Sequence, residues 1–281
     1  MTEKDWKLGK VVLNVKDLEK MSEFYQKVIG LTVLDSHSEN VVLGIEATKT
    51  PLVELVKVDP QGQKTLTAGL FHLALLLPTR QDLGEYLYYL LLNKFPLGGA
   101  SDHGYSEALY FNDPEGNGIE IYVDKPKSVW DRREDGRIEG ITIQMDAEGV
   151  LGTVEKPFAG MPVGTIMGHV HLTVHDLQGT EDFYTTLIPL GLKSDYSGQA
   201  KFFASGDYHH HLGSNTWAGK ELPAPIADQL GMAYYEWIVP SEAELTALVE
   251  RLDEKNYPYT QENGTVIVKD NSGIEMRVVV G

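Results

Sequence analysis

There is no cysteine among the 281 residues of this chain. That absence excludes disulfides, zinc–thiolate sites and cysteine nucleophiles, and it leaves the redox compartment unassigned. Long apolar runs are missing as well. The longest, Leu87-Tyr88-Tyr89-Leu90-Leu91-Leu92, falls far short of the roughly 20 residues that a helical bilayer span needs. The opening run Met1-Thr2-Glu3-Lys4-Asp5-Trp6-Lys7 is charged and carries no apolar signal region. A cytoplasmic location is the expectation. Cations are scarce: 24 Lys and Arg face 41 Asp and Glu, for a net charge of -17 at pH 7. Such a chain repels a phosphate backbone and an anionic lipid surface, so neither nucleic acid nor a membrane is an expected partner.

What the chain does contain is a repeat. The composition, 42% hydrophobic and 23% charged, is that of a soluble globular protein, with length for one large or two ordinary domains. Gly9-Lys10-Val11-Val12-Leu13-Asn14-Val15-Lys16-Asp17-Leu18 runs parallel to Gly168-His169-Val170-His171-Leu172-Thr173-Val174-His175-Asp176-Leu177 at a constant offset of 159. Phe24-Tyr25 and Phe183-Tyr184 keep that offset, and Gly30-Leu31 and Gly191-Leu192 follow two residues late. Gapless agreement of this length signals an internal repeat. Each copy reads strand, turn, helix. In the first, Asp17 is the N-cap, Leu18, Met21, Phe24, Tyr25 and Val28 give the amphipathic spacing, and Gly30 stops the helix. Strands follow at 41–45 and 52–58.

A second kind of unit follows each copy. Residues 70–78 read as a strand ending in Pro78, then a helix over 80–94, then strands at 107–112 and 118–123 around the turn Asp113-Pro114-Glu115-Gly116-Asn117-Gly118. The later counterpart has a strand at 232–239, a helix near 242–255, and strands at 265–269 and 274–280 around Asp270-Asn271-Ser272-Gly273. Four strand–helix–three-strand units result, at about 8–58, 69–123, 166–217 and 230–280, and the fold class is α+β. Chain order groups them into a first domain, residues 1–124, and a second, 166–281. Between them lies a connector, 125–165, rich in charges, glycine and proline, with strand-like sequence at 138–145.

Alternation along Gly168 to Val174 sends His169, His171 and Thr173 to one face and Val170, Leu172 and Val174 to a core. The same rule gives Lys10 in unit one, His72 in unit two and Tyr234 in unit four. On the last strands, Glu120 of unit two corresponds to Arg277 of unit four. A charged lysine has no lone pair for a cation. His72, Glu120 and His169 therefore survive as a set. Two imidazoles and a carboxylate with open positions left over are the facial triad of non-haem Fe(II) oxygenases; zinc hydrolases use a similar set. Singly, each residue has a plainer reading: a core histidine, an exposed strand glutamate, a surface histidine. Their joint loss in units one and four favours the functional one. The run Tyr208-His209-His210-His211 puts His210 on one face and His209 with His211 on the other, either as a surface run or as a general base near a metal.

Taken together, these residues resemble the vicinal oxygen chelate superfamily, which includes glyoxalase I, bleomycin-resistance proteins and extradiol ring-cleaving dioxygenases. Asp17-Leu18 with Phe24-Tyr25 and Gly30-Leu31, and the turn Asp113 to Gly118 leading to Ile119-Glu120, carry the likeness over nearly the whole chain. His103-x-x-Ser106-Glu107-Ala108-Leu109-Tyr110, Gly168-His169 and Tyr208-His209-His210-His211 are similar to the four-module bacterial catechol 2,3-dioxygenases.

The resemblance implies βαβββ modules that pair into two cup-shaped half-open barrels. It puts the metal on His72, Glu120 and His169, with Fe(II) first and Mn(II), Ni(II) or Zn(II) as alternatives. It puts the acid–base role on His210, with His211 the runner-up, and contact with substrate oxygens on Tyr110 and His103. His171 and His211 are expected to wall the pocket. The expected partners are a small aromatic diol and O₂; the repeated units and sheet edges favour a homo-oligomer. A metal-dependent glyoxalase-like isomerase or lyase, and a metal-free small-molecule-binding resistance protein, are the alternatives. One departure stands out. In two-domain relatives, the metal module pairs with the module just before it. Here the ligands lie on units two and three, so a single site requires those two to share a cup, leaving units one and four the other.

Overall fold

The first strand of each unit is apolar on one side and mixed on the other, so it needs a core on one face only. A computed structural model describes residues 5–59 and 66–281. Unit one comprises β1 (Lys7–Val15), α1 (Leu18–Phe24), β2 (Thr32–Ser36), β3 (Asn40–Ile45) and β4 (Thr50–Lys57). Unit two has β5 (Gly69–Leu77), α2 (Arg80–Leu92), β6 (Gly99–Asp102), β7 (Ser106–Asn112) and β8 (Gly118–Asp124). The connector carries short strands β9 (Asp131–Arg132), β10 (Ile138–Glu139) and β11 (Ile143–Gln144) and a one-turn helix, α3 (Ala147–Leu151). Unit three has β12 (Ile166–Thr173), α4 (Leu177–Thr186), β13 (Gly191–Tyr196), β14 (Ala200–Ala204) and β15 (Leu212–Asn215). Unit four has β16 (Gly231–Val239), α5 (Glu242–Glu254), β17 (Tyr259–Glu262), β18 (Thr265–Lys269) and β19 (Glu275–Val280).

The caps explain where the helices begin. Asp17 accepts from the Lys20 N–H, Thr79 from Asp82, Asp176 from Gln178 and Gly179, and Ser241 from Glu244. After α1 the chain runs on as a π-turn over Tyr25–Ile29, and Gly30 ends it in the left-handed conformation at φ 89°.

Two large sheets form. One has the order β17-β18-β19-β16-β1-β4-β3-β2 and joins units one and four. The other, β11-β6-β7-β8-β5-β12-β15-β14-β13, joins units two and three and takes β11 of the connector onto its edge. In both, the first strands of two units meet antiparallel at the centre: β1 with β16, and β5 with β12. Each sheet therefore draws on both halves of the chain and curls into a half-open cup.

A different contact ties successive units. Tyr25, after α1, donates its hydroxyl to Asp113 in the turn of unit two at 3.1 Å. Tyr184 of α4 does the same to Asp270 of unit four at 3.0 Å. Units one to four thus close into a ring, alternately through a shared sheet and through a tyrosine–aspartate bond. Met21, Tyr86, Phe183 and Leu248 from the four unit helices join Val11, Leu73, Val170 and Trp237 from the central strands in one continuous buried core.

Candidate metal centre and substrate cavity

Register brings the site together. Across neighbouring strands, Tyr110 on β7 lies opposite Glu120 on β8, Glu120 beside Ala74 on β5, and Ala74 opposite His169 on β12. His72 and His171 face each other one step along the same strands. Ala74 is what sequence reasoning missed: its methyl group is all that stands between Glu120 and His169, so the space there stays open. In unit four the same position is Glu236.

Two bulges aim the ligands. Between Met167 and His169 the β12–β5 register slips, leaving Gly168 unpaired; a second slip between His171 and Leu172 leaves Phe71 unpaired on β5. Strict alternation would put Met167 on the face of His169. The bulge at Gly168 instead sends Met167 into the core and His169 into the cup. Gly168 has no side chain for a direct reason: a Cβ there would lie 1.9 Å from the Tyr122 hydroxyl oxygen.

His72, Glu120 and His169 converge. His72 Nε2 is 3.0 Å and His169 Nε2 is 3.1 Å from Glu120 Oε2, and the two Nε2 atoms are 3.2 Å apart. Donors bound cis to one octahedral ion at about 2.1 Å stand about 3.0 Å from one another. Three such separations in a closed triangle are one face of an octahedron, so this donor set fits a single metal ion. The ionisation states agree. Burial alone would raise the Glu120 carboxyl, but its hydrogen bonds and electrostatic coupling to the His169 and His72 rings hold it well below its usual range. Burial pushes the His169 imidazole down to about 4, against the opposing pull of Glu120. The site is thus prepared as one carboxylate with a neutral imidazole at His169. His169 Nδ1 is buried without a hydrogen-bond partner, so the ring is held by packing against Tyr122 and His210.

The triad opens into a cavity of about 420 Å³ lined also by His103, Tyr105, Tyr110, His171 and His210. His103 Nδ1 lies 2.9 Å from the Ile141 carbonyl and must donate to it; its Nε2 then accepts from the Tyr110 hydroxyl at 2.6 Å. Burial pushes the Tyr110 hydroxyl well above its ordinary value, so Tyr110 keeps its proton. The His210 ring centroid is 4.2 Å from that of His169, and burial holds its imidazole well below the usual range. His171 forms one wall with Phe71, Phe202 and Trp217, and burial keeps it neutral as well. Sequence reasoning missed this aromatic wall, because Phe71 reaches it through a bulge and Trp217 from a loop.

His211 differs from expectation. It does not line this cavity. Its Nδ1 accepts from the Ser205 N–H at 3.3 Å and its ring packs on Tyr208 and Trp237. The histidine run lies between β14 and β15 rather than on a strand, so alternation does not order it as expected: His209 meets His210, while His211 turns toward Trp237 in the sheet of units one and four.

Among the described residues, the other cup holds no triad. At the positions of His169, His72 and Glu120 stand Lys10, Tyr234 and Arg277. Lys10 pairs with Glu54 at 2.6 Å and lies 3.8 Å from Glu236, while the Arg277 guanidinium sits 3.6 Å above the Tyr234 ring. Ion pairs occupy the space that ligands occupy in the first cup.

Four βαβββ units in two cups, one with a ligand cluster and one without, define the vicinal oxygen chelate architecture. The chain belongs to the Glyoxalase/Bleomycin resistance protein/Dioxygenase superfamily, whose model matches residues 7–121 and 166–277. It is 35% identical over 272 residues to the catechol-2,3-dioxygenase of Bacillus subtilis strain 168, covering 95% of this chain and 94% of that protein. A biphenyl-2,3-diol 1,2-dioxygenase of Rhodococcus globerulus is 28% identical over 123 residues, 42% of this chain and 63% of that one. The crystal structure of glyoxalase I from Zea mays has the same fold, with a TM-score of 0.58 at 15% identity over 98% of this chain and 92% of that one.

Proposed function

We propose that this chain is a non-haem Fe(II) extradiol dioxygenase that opens catechol-type aromatic rings beside the diol. The observation that carries the reading is the triangle of His72, Glu120 and His169 at the floor of a cavity that also holds His210 and the Tyr110–His103 pair. The 35% identity to a catechol-2,3-dioxygenase over nearly the whole chain supports it. His72, His169 and Glu120 hold the ion. Fe(II) held there would supply Lewis acidity toward the diol and a redox-active centre for O₂.

The remaining steps belong to this chain's residues. His210 takes a proton from the diol or from the reacting oxygen and returns it as the ring opens, a role of about 10²–10⁴ in rate. Tyr110, kept protonated and held by His103, orients a substrate oxygen by hydrogen bonding. The aromatic wall of Phe71, Phe202 and Trp217 packs the ring and keeps bulk water off the reacting carbons. Both oxygen atoms of O₂ enter the product, a ring-opened semialdehyde, as one ring C–C bond breaks. An isomerase or a metal-free binder has no evident use for His210 and the Tyr110–His103 pair in one cavity.

The test is anaerobic loading with Fe(II) followed by catechol in air. Oxygen uptake with a yellow product is expected, and Glu120→Ala should bind Fe(II) at least tenfold more weakly. Absence of oxygen uptake with any diol, using fully loaded protein, would remove the proposal.

A further inference from the structure

His210 does not stand alone. His209 Nδ1 lies 2.7 Å from His210 Nδ1, and His209 Nε2 lies 2.8 Å from Asp124 Oδ1. His209 is clamped: its ring stacks on Tyr105 at 4.2 Å and 10°, with Tyr208 at 4.1 Å and Trp130 at 5.3 Å. Asp124 ends β8, the strand that carries Glu120, and also accepts from the Tyr208 hydroxyl at 3.3 Å.

We propose that Asp124 and His209 are positioning residues that fix the tautomer of His210, so that His210 Nε2 meets the substrate unprotonated. The proposal rests on the acid–base role given to His210 above. A carboxylate only accepts, so His209 Nε2 carries a hydrogen. A neutral imidazole carries one hydrogen, which leaves His209 Nδ1 as a lone pair. Two ring nitrogens at 2.7 Å share one hydrogen, so His210 Nδ1 supplies it. The lone pair of His210 is then on Nε2, the ring nitrogen left for the cavity. A carboxylate at the end of β8 thus sets the direction of a hydrogen bond two rings away. Were His209 doubly protonated, the direction would reverse and His210 would present an N–H.

Long-range ¹H–¹⁵N spectra of histidine-labelled, metal-free protein at pH 8 read the tautomer without any turnover. In the wild type, His210 should show a protonated Nδ1 and a bare Nε2. Asp124→Asn replaces an acceptor-only carboxylate with an amide that can also donate and should mix or invert that state. In the Fe(II)-loaded enzyme, kcat for catechol should then fall on the order of 10²-fold, with KM and iron content unchanged. His209→Asn keeps an acceptor near the position of Nδ1 and should hold the His210 tautomer, whereas His209→Leu should lose it; this pair carries the test should Asp124→Asn not fold. A wild-type His210 with hydrogen on Nε2, or an unmoved tautomer in both Asp124→Asn and His209→Leu, overturns the proposal. If the tautomers behave as stated but no diol is consumed, the dioxygenase reading falls and the relay stands.

Discussion

His211 is buried to 1% exposure beside Tyr208 and Trp237, and its burial pushes the imidazole down to about 3. The unfolded chain takes that proton near pH 6.5, so the unfolded state binds protons that the folded state refuses. Stability from neutral His211 is complete above pH 6.5 and is lost progressively as the pH falls toward 3. His169, His171 and His210 shift the same way. Asp270 works in the opposite sense: burial raises its carboxyl to about 6, so its contribution is full at low pH and is lost as the pH rises through 6. Burial raises the carboxyls of Asp113 and Glu236 in the same sense as Asp270, but four imidazoles shifted below 6.5 dominate between pH 7 and 5. Urea unfolding of metal-free protein should show lower stability at pH 5 than at pH 7, and His211→Gln should remove about 2 kcal/mol of that drop. An equal drop in the variant would contradict this. At this scale the sequence made the triad legible, because ligands lost in paired units leave a visible contrast. The histidine run was legible only as a cluster: it lies between strands, so parity does not order it, and nothing local says that His209 meets Asp124 and His210 or that His211 turns away.

The element that matters most is β12, and its working part is an irregularity. The bulge at Gly168 requires a residue without a side chain, since the Tyr122 hydroxyl occupies the Cβ position. Gly168→Ala should therefore cost about 1–3 kcal/mol of stability and weaken metal binding through His169. Adding Tyr122→Phe removes the clashing oxygen and should recover part of both losses in urea unfolding and Fe(II) titration. If Gly168→Ala binds metal as the wild type does, the bulge is not what aims His169. Strand identity and helix starts were readable from alternation and from caps such as Asp17 and Asp176. The bulges were not, because a one-residue slip leaves composition and approximate periodicity intact and is decided by the partner strand.

At the scale of the molecule, the proposed function makes charge the selector of substrate. Among the described residues, no lysine or arginine lines the cavity, and the whole chain carries -17. Under the proposed function a divalent ion with Glu120 would balance the monoanion of a diol, so a ring carboxylate would enter an apolar site without a counter-charge. Steady-state kcat/KM for catechol and its methyl derivatives should exceed that for 3,4-dihydroxybenzoate by 100-fold or more, on the order of 3 kcal/mol; comparable values would show that a cation reaches the pocket. The repeat, with its offset of 159, exposed the four units directly. Their pairing followed only from the chemistry, since His169 can reach His72 and Glu120 only across a shared sheet.

The ring of units has a consequence during synthesis. β1 lies between β4, which follows it closely, and β16, which begins at Gly231. At roughly 5–20 residues per second, the ribosome takes about 10–45 s to deliver that partner. Throughout that interval Lys7–Val15, with Leu8, Val11 and Leu13 destined for the core, offers an uncovered strand edge to any other nascent chain. A transcript that stops short of Gly231 leaves the edge open for good. The last unit, which supplies none of the proposed site residues, is therefore the part of the protein that makes its first strand safe.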